Sequence, residues 1–182
     1  STKVIVKIGF CFLLYGGLTQ QRAWANFLKG AKEEEFDIYC HSKNPKKANK
    51  QKLLKGKHTA TRIETKWADV SLVEASLILF KEALEAGCDY VFLLSDKCVP
   101  IQSFSFLKKE IKSGKSMVHH NIQSSLSGTN RKEYFDENET SRRYKMSNAI
   151  KNYVSENDFI KAEQWVGLNK EHLKLLLKNK TL

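Results

Sequence analysis

The sequence lacks several features that would assign it to common protein classes. Its 182 residues include only two prolines, and 41% of them are hydrophobic. Such a composition excludes a collagen-like or disordered chain. The longest apolar runs, residues 10–15 and 90–94, are far too short to cross a bilayer, and no signal-peptide pattern opens the chain. We therefore expect a single globular domain, 1–182, large enough to bury a core, with a cytoplasmic location as the default.

Two kinds of sequence motif are also missing. Gly16 and Gly17 have neither the lysine of a P-loop nor the spacing of a dinucleotide fingerprint, so a P-loop NTPase or a Rossmann dehydrogenase is not expected. The four cysteines, at positions 11, 40, 88 and 98, form no Cys-x-x-Cys and no zinc-type spacing with histidines. We expect reduced thiols with structural roles, packed as small hydrophobic side chains.

The charge of the chain is strongly one-sided, with 31 basic and 20 acidic residues and a net charge of +11. This excess favours anionic partners such as nucleic acid, an acidic membrane surface or a phosphorylated small molecule. Seven lysines lie within residues 43–57, but a lysine-rich loop is more often a solvated tether than a binding patch. A nucleic-acid-binding domain would interleave exposed aromatics with its cations. The aromatics here follow core periodicities instead, so nucleic acid is not the expected partner.

Hydrophobic periodicity predicts alternating strands and helices along the chain. The predicted strands are 3–15, 36–40, 59–63, 90–94, 116–119 and 162–168, and the predicted helices are 18–32, 71–86, 105–113 and 170–178. Asp69 or Ser71 is expected to cap the second helix, where Ser71 and Glu74 fit a capping box. Residues 41–57 and 121–141 are predicted loops. This order predicts a three-layer α/β sandwich with a mostly parallel central sheet.

The segment 89–100 is the first candidate for a functional site. Its apolar run predicts a strand buried on both faces, and the run ends in Ser95, Asp96 and Lys97 before Pro100. Ligands of open α/β sheets bind just outside the carboxyl ends of the strands. These polar side chains are therefore well placed to contact a ligand. The alternative is a strand followed by a polar turn without a function.

Four segments in this order resemble one known family. They read Lys-Ile-Gly-Phe-Cys-Phe-Leu-Leu-Tyr (7–15), Tyr-Cys-His (39–41), Leu-Leu-Ser-Asp-Lys-Cys-Val-Pro (93–100) and Gln-Trp-Val-Gly-Leu-Asn-Lys (164–170). Over nearly its whole length the chain is similar to the core-2/I-branching β-1,6-N-acetylglucosaminyltransferases, particularly their plant-type and microbial branch. The resemblance implies a GT-A-type glycosyltransferase that moves GlcNAc or a related sugar from a UDP-sugar to a glycan hydroxyl, with inversion.

The resemblance also bears on metal dependence. Most GT-A enzymes hold a metal with Asp-x-Asp at the end of a central strand, where this chain has Ser95, Asp96 and Lys97. One carboxylate beside an ammonium is a poor site for a divalent cation, which prefers several oxygen ligands. We therefore expect no metal and no other cofactor, in agreement with the metal-independent family, in which basic side chains neutralise the departing diphosphate.

Individual residues acquire expected roles from the resemblance. The expected donor-binding residues are Leu14, Tyr15, His41, Ser42, Trp67, Ser95 and Lys97, and the expected acceptor-binding residues are Arg142, Arg143, Tyr144, Gln164 and Trp165. Each has an alternative role. Trp67 and Trp165 could be core residues, His41 could be a strand-end histidine bonded to backbone, and Arg142 with Arg143 could be an exposed pair.

The chain departs from the family at its C-terminal end. The family's catalytic glutamate and its diphosphate-binding basic residues would lie beyond Leu182, so the chain is truncated, is a minimal relative that uses other residues, or is an inactive sugar-nucleotide- or carbohydrate-binding relative. Asp96 and Glu163 are the carboxylates at strand positions that could replace the base, and Lys43 or Lys97 could neutralise the diphosphate. The expected partners are a UDP-sugar and a glycan or glycoconjugate acceptor. Membrane association, common in the Golgi members of the family, would need segments outside this chain.

Overall fold

The computed structural model of the chain describes residues 5–67, 69–120, 151–152, 154–155 and 162–178. The described strands are β1 (Ile8–Leu14), β2 (Phe36–Ser42), β3 (Tyr90–Ser95), β4 (Met117–His120) and β5 (Ala162–Asn169). The described helices are α1 (Gln21–Leu28), α2 (Pro45–Ala48), α3 (Ser71–Glu85), α4 (Phe104–Ile111) and α5 (Lys170–Lys178), and a 3-10 turn spans Glu33–Glu35. None of the described helices has the length and apolarity needed to cross a membrane.

The strands form one sheet in the order β2-β1-β3-β5-β4. β1 pairs in parallel with β2 on one side and with β3 on the other, and β3 pairs antiparallel with β5. Every residue of β1 is buried, as expected for a central strand covered on both faces. This architecture confirms the predicted α/β fold class.

The chain divides into two compact units. One contains residues 1–117 and 165–182, and the other contains residues 118–164. Most of the second unit lies outside the described residues. The parallel strands β1, β2 and β3 and the helices that cover them all belong to the first unit.

Alternate side chains of β1 enter two separate hydrophobic layers. Ile8, Phe10, Phe12 and Leu14 join a cluster with α1 and α4, in which Phe12 meets Trp24 edge-to-face at 4.9 Å between ring centroids. The other layer contains Cys11 and Leu13 with buried side chains of α3 and α5. Helices therefore cover both faces of the sheet. All four cysteines are free, Cys11 and Cys40 are buried as predicted, and Cys88 is buried as well.

The predicted strand at 59–63 is wrong, since this segment contains no strand. The chain touches the sheet here through a single bridge between Cys40 and His58, after which the Thr59 hydroxyl donates to the Thr61 carbonyl at 2.8 Å. The Ala60 N–H donates to a Glu82 carboxylate oxygen of α3 at 3.0 Å. These bonds satisfy polar groups that a strand would otherwise pair with its neighbour. The chain therefore leaves the sheet after His58.

The predicted capping box of the long helix is also absent. Asp69 accepts the Ser71 N–H at 3.0 Å, and the Ser71 hydroxyl accepts the Lys66 N–H at 3.0 Å. Because Ser71 is engaged with the preceding chain, its hydroxyl does not cap α3, and Val70 occupies the N-cap position.

Residues 43–57, here called the lysine segment, are more regular than the predicted loop. The segment begins with α2 and continues through successive hydrogen-bonded turns to Lys57. Ala48 and Leu54 are fully buried in the layer that contains α1. Between them, the Gln51 side chain accepts the Leu18 N–H and donates to the Leu18 carbonyl, both at 2.8 Å. The segment is therefore anchored at three positions spaced three residues apart.

We expect Leu54→Ala to destabilise the fold by about 2–4 kcal/mol, because it leaves a cavity under the lysine segment. Urea unfolding followed by circular dichroism measures the change. Leu53→Ala is the matched control, since Leu53 is only partly buried, and it should cost clearly less. Equal losses for the two variants would contradict this anchoring.

Candidate functional site

The candidate site lies at the carboxyl edge of the three parallel strands. The register pairs Leu14 with Ser42 and Leu13 with Ser95, so β1, β2 and β3 end side by side. The loops that follow are bonded to one another: the Lys43 N–H donates to the Leu14 carbonyl at 2.9 Å, and the Thr19 hydroxyl donates to the Asp96 carbonyl at 2.8 Å. This is the edge at which open α/β sheets bind ligands.

A cavity of about 410 Å³ opens beside the end of β2. It is lined by Lys43, Arg62, Ile63, Glu64 and Thr65, and its volume falls within the usual range for small-molecule sites. Two cations, one carboxylate and one hydroxyl can therefore contact a ligand in it. The cations suit an anion such as a phosphate group.

Two large aromatic side chains near these loops are exposed. Tyr15, directly after β1, is 71% exposed, and Trp67, shortly before α3, is 93% exposed. Lys43 Nζ lies 6.0 Å from the centroid of the Tyr15 ring, at the limit for a cation–π contact. Trp67 is not a core residue in this structure. Both rings offer flat apolar surfaces to a base or a sugar.

His41 holds the wall of the cavity in place. Its side chain is 2% exposed, and its Nε2 accepts the Ile63 backbone N–H at 3.2 Å. An accepting Nε2 requires the neutral imidazole. Burial, and then the positive charge of Arg62, hold the pKa of His41 below its ordinary value. His41 is therefore bonded to backbone, and through Ile63 it positions the residues that line the cavity.

Leu14 and Ser42 are enclosed by the protein. Leu14 packs in the core cluster. The buried Ser42 hydroxyl donates to the Gly16 carbonyl at 2.9 Å and accepts the Asn44 N–H at 3.1 Å. Ser42 thus ties the loop after β1 to the loop after β2.

The residues after β3 form a compact turn. The Ser95 hydroxyl lies 3.3 Å from Cys98 Sγ and accepts the Lys97 N–H at 3.2 Å. Asp96 is half-buried and Lys97 is exposed. In the described part of the chain no hydrogen-bond donor reaches the Asp96 carboxylate, and no group of three or more His, Cys, Asp or Glu side chains could hold a metal ion.

The remaining predicted residues are placed only in part. Trp165 in β5 is half-buried and packs against the layer that contains α3, and Gln164 beside it is exposed. Glu163 belongs to β5, but its side chain is not among those described. Arg142, Arg143 and Tyr144 lie outside the described residues, as does the predicted loop 121–141.

Comparison with known proteins assigns this chain to a family. The family model described as "Branch: Core-2/I-Branching enzyme" matches residues 8–182. The chain belongs to this family. It is also similar to Glycosyltransferase BC10 of Oryza sativa subsp. japonica, with 25% identity over 105 residues. That alignment covers 55% of this chain and 26% of the rice protein, so the chain matches about a quarter of the curated relative's length.

Membership of the core-2/I-branching family confirms the resemblance seen in the sequence, and it agrees with the GT-A-like fold. Four of the five residues that line the cavity received no role from the sequence analysis. They are Arg62, Ile63, Glu64 and Thr65. Arg62 and Ile63 lie in the segment that was wrongly predicted as a strand, and Glu64 and Thr65 lie in the irregular chain that follows it. The only local signal was their position between β2 and the long helix α3.

We expect the free energy of unfolding to fall as the pH drops from about 7 to about 5, in part because His41 must stay neutral. Its folded pKa lies below the unfolded value near 6.5, so the unfolded chain binds the proton first. The loss begins as the pH falls below the unfolded pKa and is complete below the folded one. His58, whose pKa burial also lowers, adds to the same trend.

Melting temperature against pH measures this effect. His41→Gln keeps a side-chain acceptor that does not titrate, and it should flatten the curve. The reference for the comparison is the melting temperature of each protein at about pH 8, where His41 and His58 are neutral in the folded and the unfolded chain. A His41→Gln curve that matches the wild type would contradict the assignment.

Proposed function

We propose that the chain is the donor-binding part of an inverting glycosyltransferase that moves GlcNAc or a related sugar from a UDP-sugar to a glycan hydroxyl. The observation that carries the proposal is the cavity at the carboxyl edge of the sheet, lined by Lys43 and Arg62 beside the exposed Tyr15. A nucleoside diphosphate combines a flat base with two charged phosphates. Tyr15, beside the cavity, offers a ring for the base, and Lys43 and Arg62 in the cavity lining offer cations for the phosphates.

The polar residues that line the cavity and the side chains near it each have a proposed part in donor binding. The Tyr15 ring stacks on the base, and Lys43 and Arg62 neutralise the diphosphate as it departs, which stabilises the charge that develops in the transition state. Glu64 and Thr65 can accept hydrogen bonds from ribose hydroxyls. Trp67 gives a second exposed ring, and Lys97 after β3 adds another cation near the sugar.

Asp96 is the proposed general base among the described carboxylates. An inverting transfer needs a base within hydrogen-bond reach of the acceptor hydroxyl. The Asp96 carboxylate lies at the end of the central strand β3, and in the described chain no side chain or backbone donor occupies it. Glu163 in β5 is the other candidate. The proposed acceptor contacts are Arg142, Arg143, Tyr144, Gln164 and Trp165.

We propose that this transfer needs no divalent metal. Ser95 and Lys97 flank Asp96, so this turn offers one carboxylate where a hard cation would require several oxygen ligands. The cations of the cavity then supply the positive charge that a metal would otherwise bring to the diphosphate.

We expect UDP and a UDP-sugar to raise the melting temperature of the chain, because a ligand that binds only the folded state stabilises it by mass action. At a UDP concentration about 100 times Kd the gain is about 2.7 kcal/mol. A thermal-shift panel with UDP, UDP-GlcNAc and CMP measures it, with Mn²⁺ or with chelator. A shift that requires Mn²⁺ would contradict metal independence, and no shift with any nucleotide would contradict the donor site.

Substitution of Tyr15, beside the cavity, or of Arg62, in its lining, should weaken UDP binding without unfolding the chain. We expect Tyr15→Ala to weaken it about tenfold, since stacking of one base on an aromatic ring is worth about 1–3 kcal/mol, and Tyr15→Phe to keep most of the affinity. Arg62→Gln should also weaken it, whereas Lys109→Gln, which removes an exposed charge in the last turn of α4, should not. Isothermal titration calorimetry gives the affinities. Equal effects of the two charge variants would argue against a contact with Arg62.

A second candidate function is a binding relative without transferase activity. Among the described side chains the proposed base is the single carboxylate of Asp96, which is not a complete catalytic set. Release of UDP from a UDP-sugar in the presence of acceptors separates the two. Turnover that Asp96→Asn abolishes supports the transferase, whereas UDP binding without turnover supports the binding protein.

A further inference from the structure

The lysine segment has a fixed shape, which distinguishes it from a solvated tether. Leu54 and Ala48 are fully buried, and Gln51 makes two hydrogen bonds of 2.8 Å to the backbone of Leu18. Its start is fixed by the Asn44 side chain, which accepts the Lys47 N–H at 3.1 Å. The backbone that carries the lysines is thus held by both the core and the loop after β1.

The lysines between these anchors are exposed. Lys46, Lys47, Lys50, Lys52 and Lys55, here called the lysine patch, all lie on the solvent side of the segment. A polyanion that binds such a preordered array pays less to order the backbone than one that binds a flexible loop.

Carboxylates leave most of this charge uncompensated. Residues 43–69 contain nine basic and two acidic residues, and so carry most of the excess charge of the chain. Lys57 has a carboxylate partner, Asp37, at 3.9 Å. Within the described residues no member of the lysine patch forms an ion pair. Like charges held close together disfavour the folded state, and an anionic ligand bound to the array would relieve that repulsion.

The lysine patch lies next to the candidate donor site. Lys47 packs so closely against the loop after β1 that a Cβ at Gly16 would come within 2.8 Å of its Cδ. Lys43, at the start of the same segment, lines the cavity. A molecule bound on the patch would therefore be held beside the cavity in which the donor is proposed to bind.

We propose that the lysine patch binds an anionic acceptor glycan, one that carries carboxylate or sulfate groups along its chain. This proposal rests on the proposed transferase function and specifies the chemical class of its acceptor. The spaced charges of such a glycan would pair with successive lysines, and a neutral hydroxyl of the same chain would reach the donor site.

The composition of the segment argues against two other anionic partners. Amphipathic helices that lie in a membrane surface bury apolar or aromatic side chains beside their cations, but the apolar Ala48 and Leu54 of this segment are buried in the protein. Single-stranded nucleic acid would need exposed aromatics to stack its bases, and residues 43–57 contain no aromatic residue. Lysines alone suit a flexible, charged chain of sugars.

The test compares two triple variants of equal net charge. Lys46→Gln/Lys50→Gln/Lys55→Gln removes three charges from the lysine patch, and Lys109→Gln/Lys112→Gln/Lys174→Gln removes three exposed charges elsewhere. Calorimetric titration at physiological ionic strength uses a short oligogalacturonide, a sulfated dextran fragment and a neutral cello-oligosaccharide as probes. Vesicles of phosphatidylserine and phosphatidylcholine and a DNA oligonucleotide complete the panel.

The lysine-patch variant should bind the oligogalacturonide or the sulfated fragment about tenfold more weakly than the wild type, given the modest worth of each exposed ion pair. The control variant should show less than half of that loss of affinity. The neutral cello-oligosaccharide should not bind the lysine patch. Equal losses in both variants would overturn the proposal, since only the net charge would then matter. Binding confined to the vesicles or to DNA would also overturn it.

The same variants separate this proposal from the transferase proposal. UDP should raise the melting temperature of the lysine-patch variant as it does that of the wild type, because the patch is distinct from the cavity lining. If UDP raises the melting temperature but neither charged glycan binds, only the proposed class of acceptor is refuted. Charged-glycan binding lost in the lysine-patch variant, with no UDP effect in the wild type, supports the patch and refutes the donor site.

Discussion

Parallel pairing of β1 with both β2 and β3 is the constraint on which the candidate site depends. Because the three strands run in one direction, their carboxyl ends meet at one edge, and every loop that follows them starts there. β1 can lie between two parallel neighbours only if both of its faces are buried. Its continuous apolar sequence meets that requirement, and helices cover it on both sides. The parallel pairing of β1 thus accounts both for the two buried layers of the core and for the location of the site.

Short-range signals explain which parts could be predicted from the sequence. The run of apolar residues before Ser95 predicted β3, and the leucine spacing after Asn169 predicted α5 with its correct bounds. The polar turn at Ser95, Asp96 and Lys97 followed from the end of that strand. The exposed ring of Tyr15 at the end of β1 agrees with the role implied by the family resemblance, and that role remains a proposal.

Long-range contacts explain what could not be predicted. The lysine segment has no apolar period, because three separate side chains anchor it and one of them, Gln51, is polar. The cavity wall at Arg62, Glu64 and Thr65 is held from a distant strand, where His41 bonds Ile63 across 22 positions in the chain. Polar anchors of this kind leave no pattern of spacing in the sequence. Hydrophobic periodicity therefore predicts a loop for the lysine segment, and it predicts a strand at 59–63 where the chain leaves the sheet.

The loop of residues 16–19 connects these separate parts, and this gives Gly16 and Gly17 a role beyond ending a strand. The Gly16 carbonyl accepts the Ser42 hydroxyl of β2, Leu18 bonds to Gln51 of the lysine segment, and Thr19 bonds to the turn after β3. A Cβ at Gly17 would lie 2.7 Å from the Gln51 amide, so a larger residue there would displace the Gln51 side chain from its two hydrogen bonds to Leu18. The absence of side chains at these two positions lets the lysine segment lie against the edge of the sheet. The end of β2, the turn after β3 and the lysine segment are thus held together by one short loop, so a displacement of that loop would affect all three.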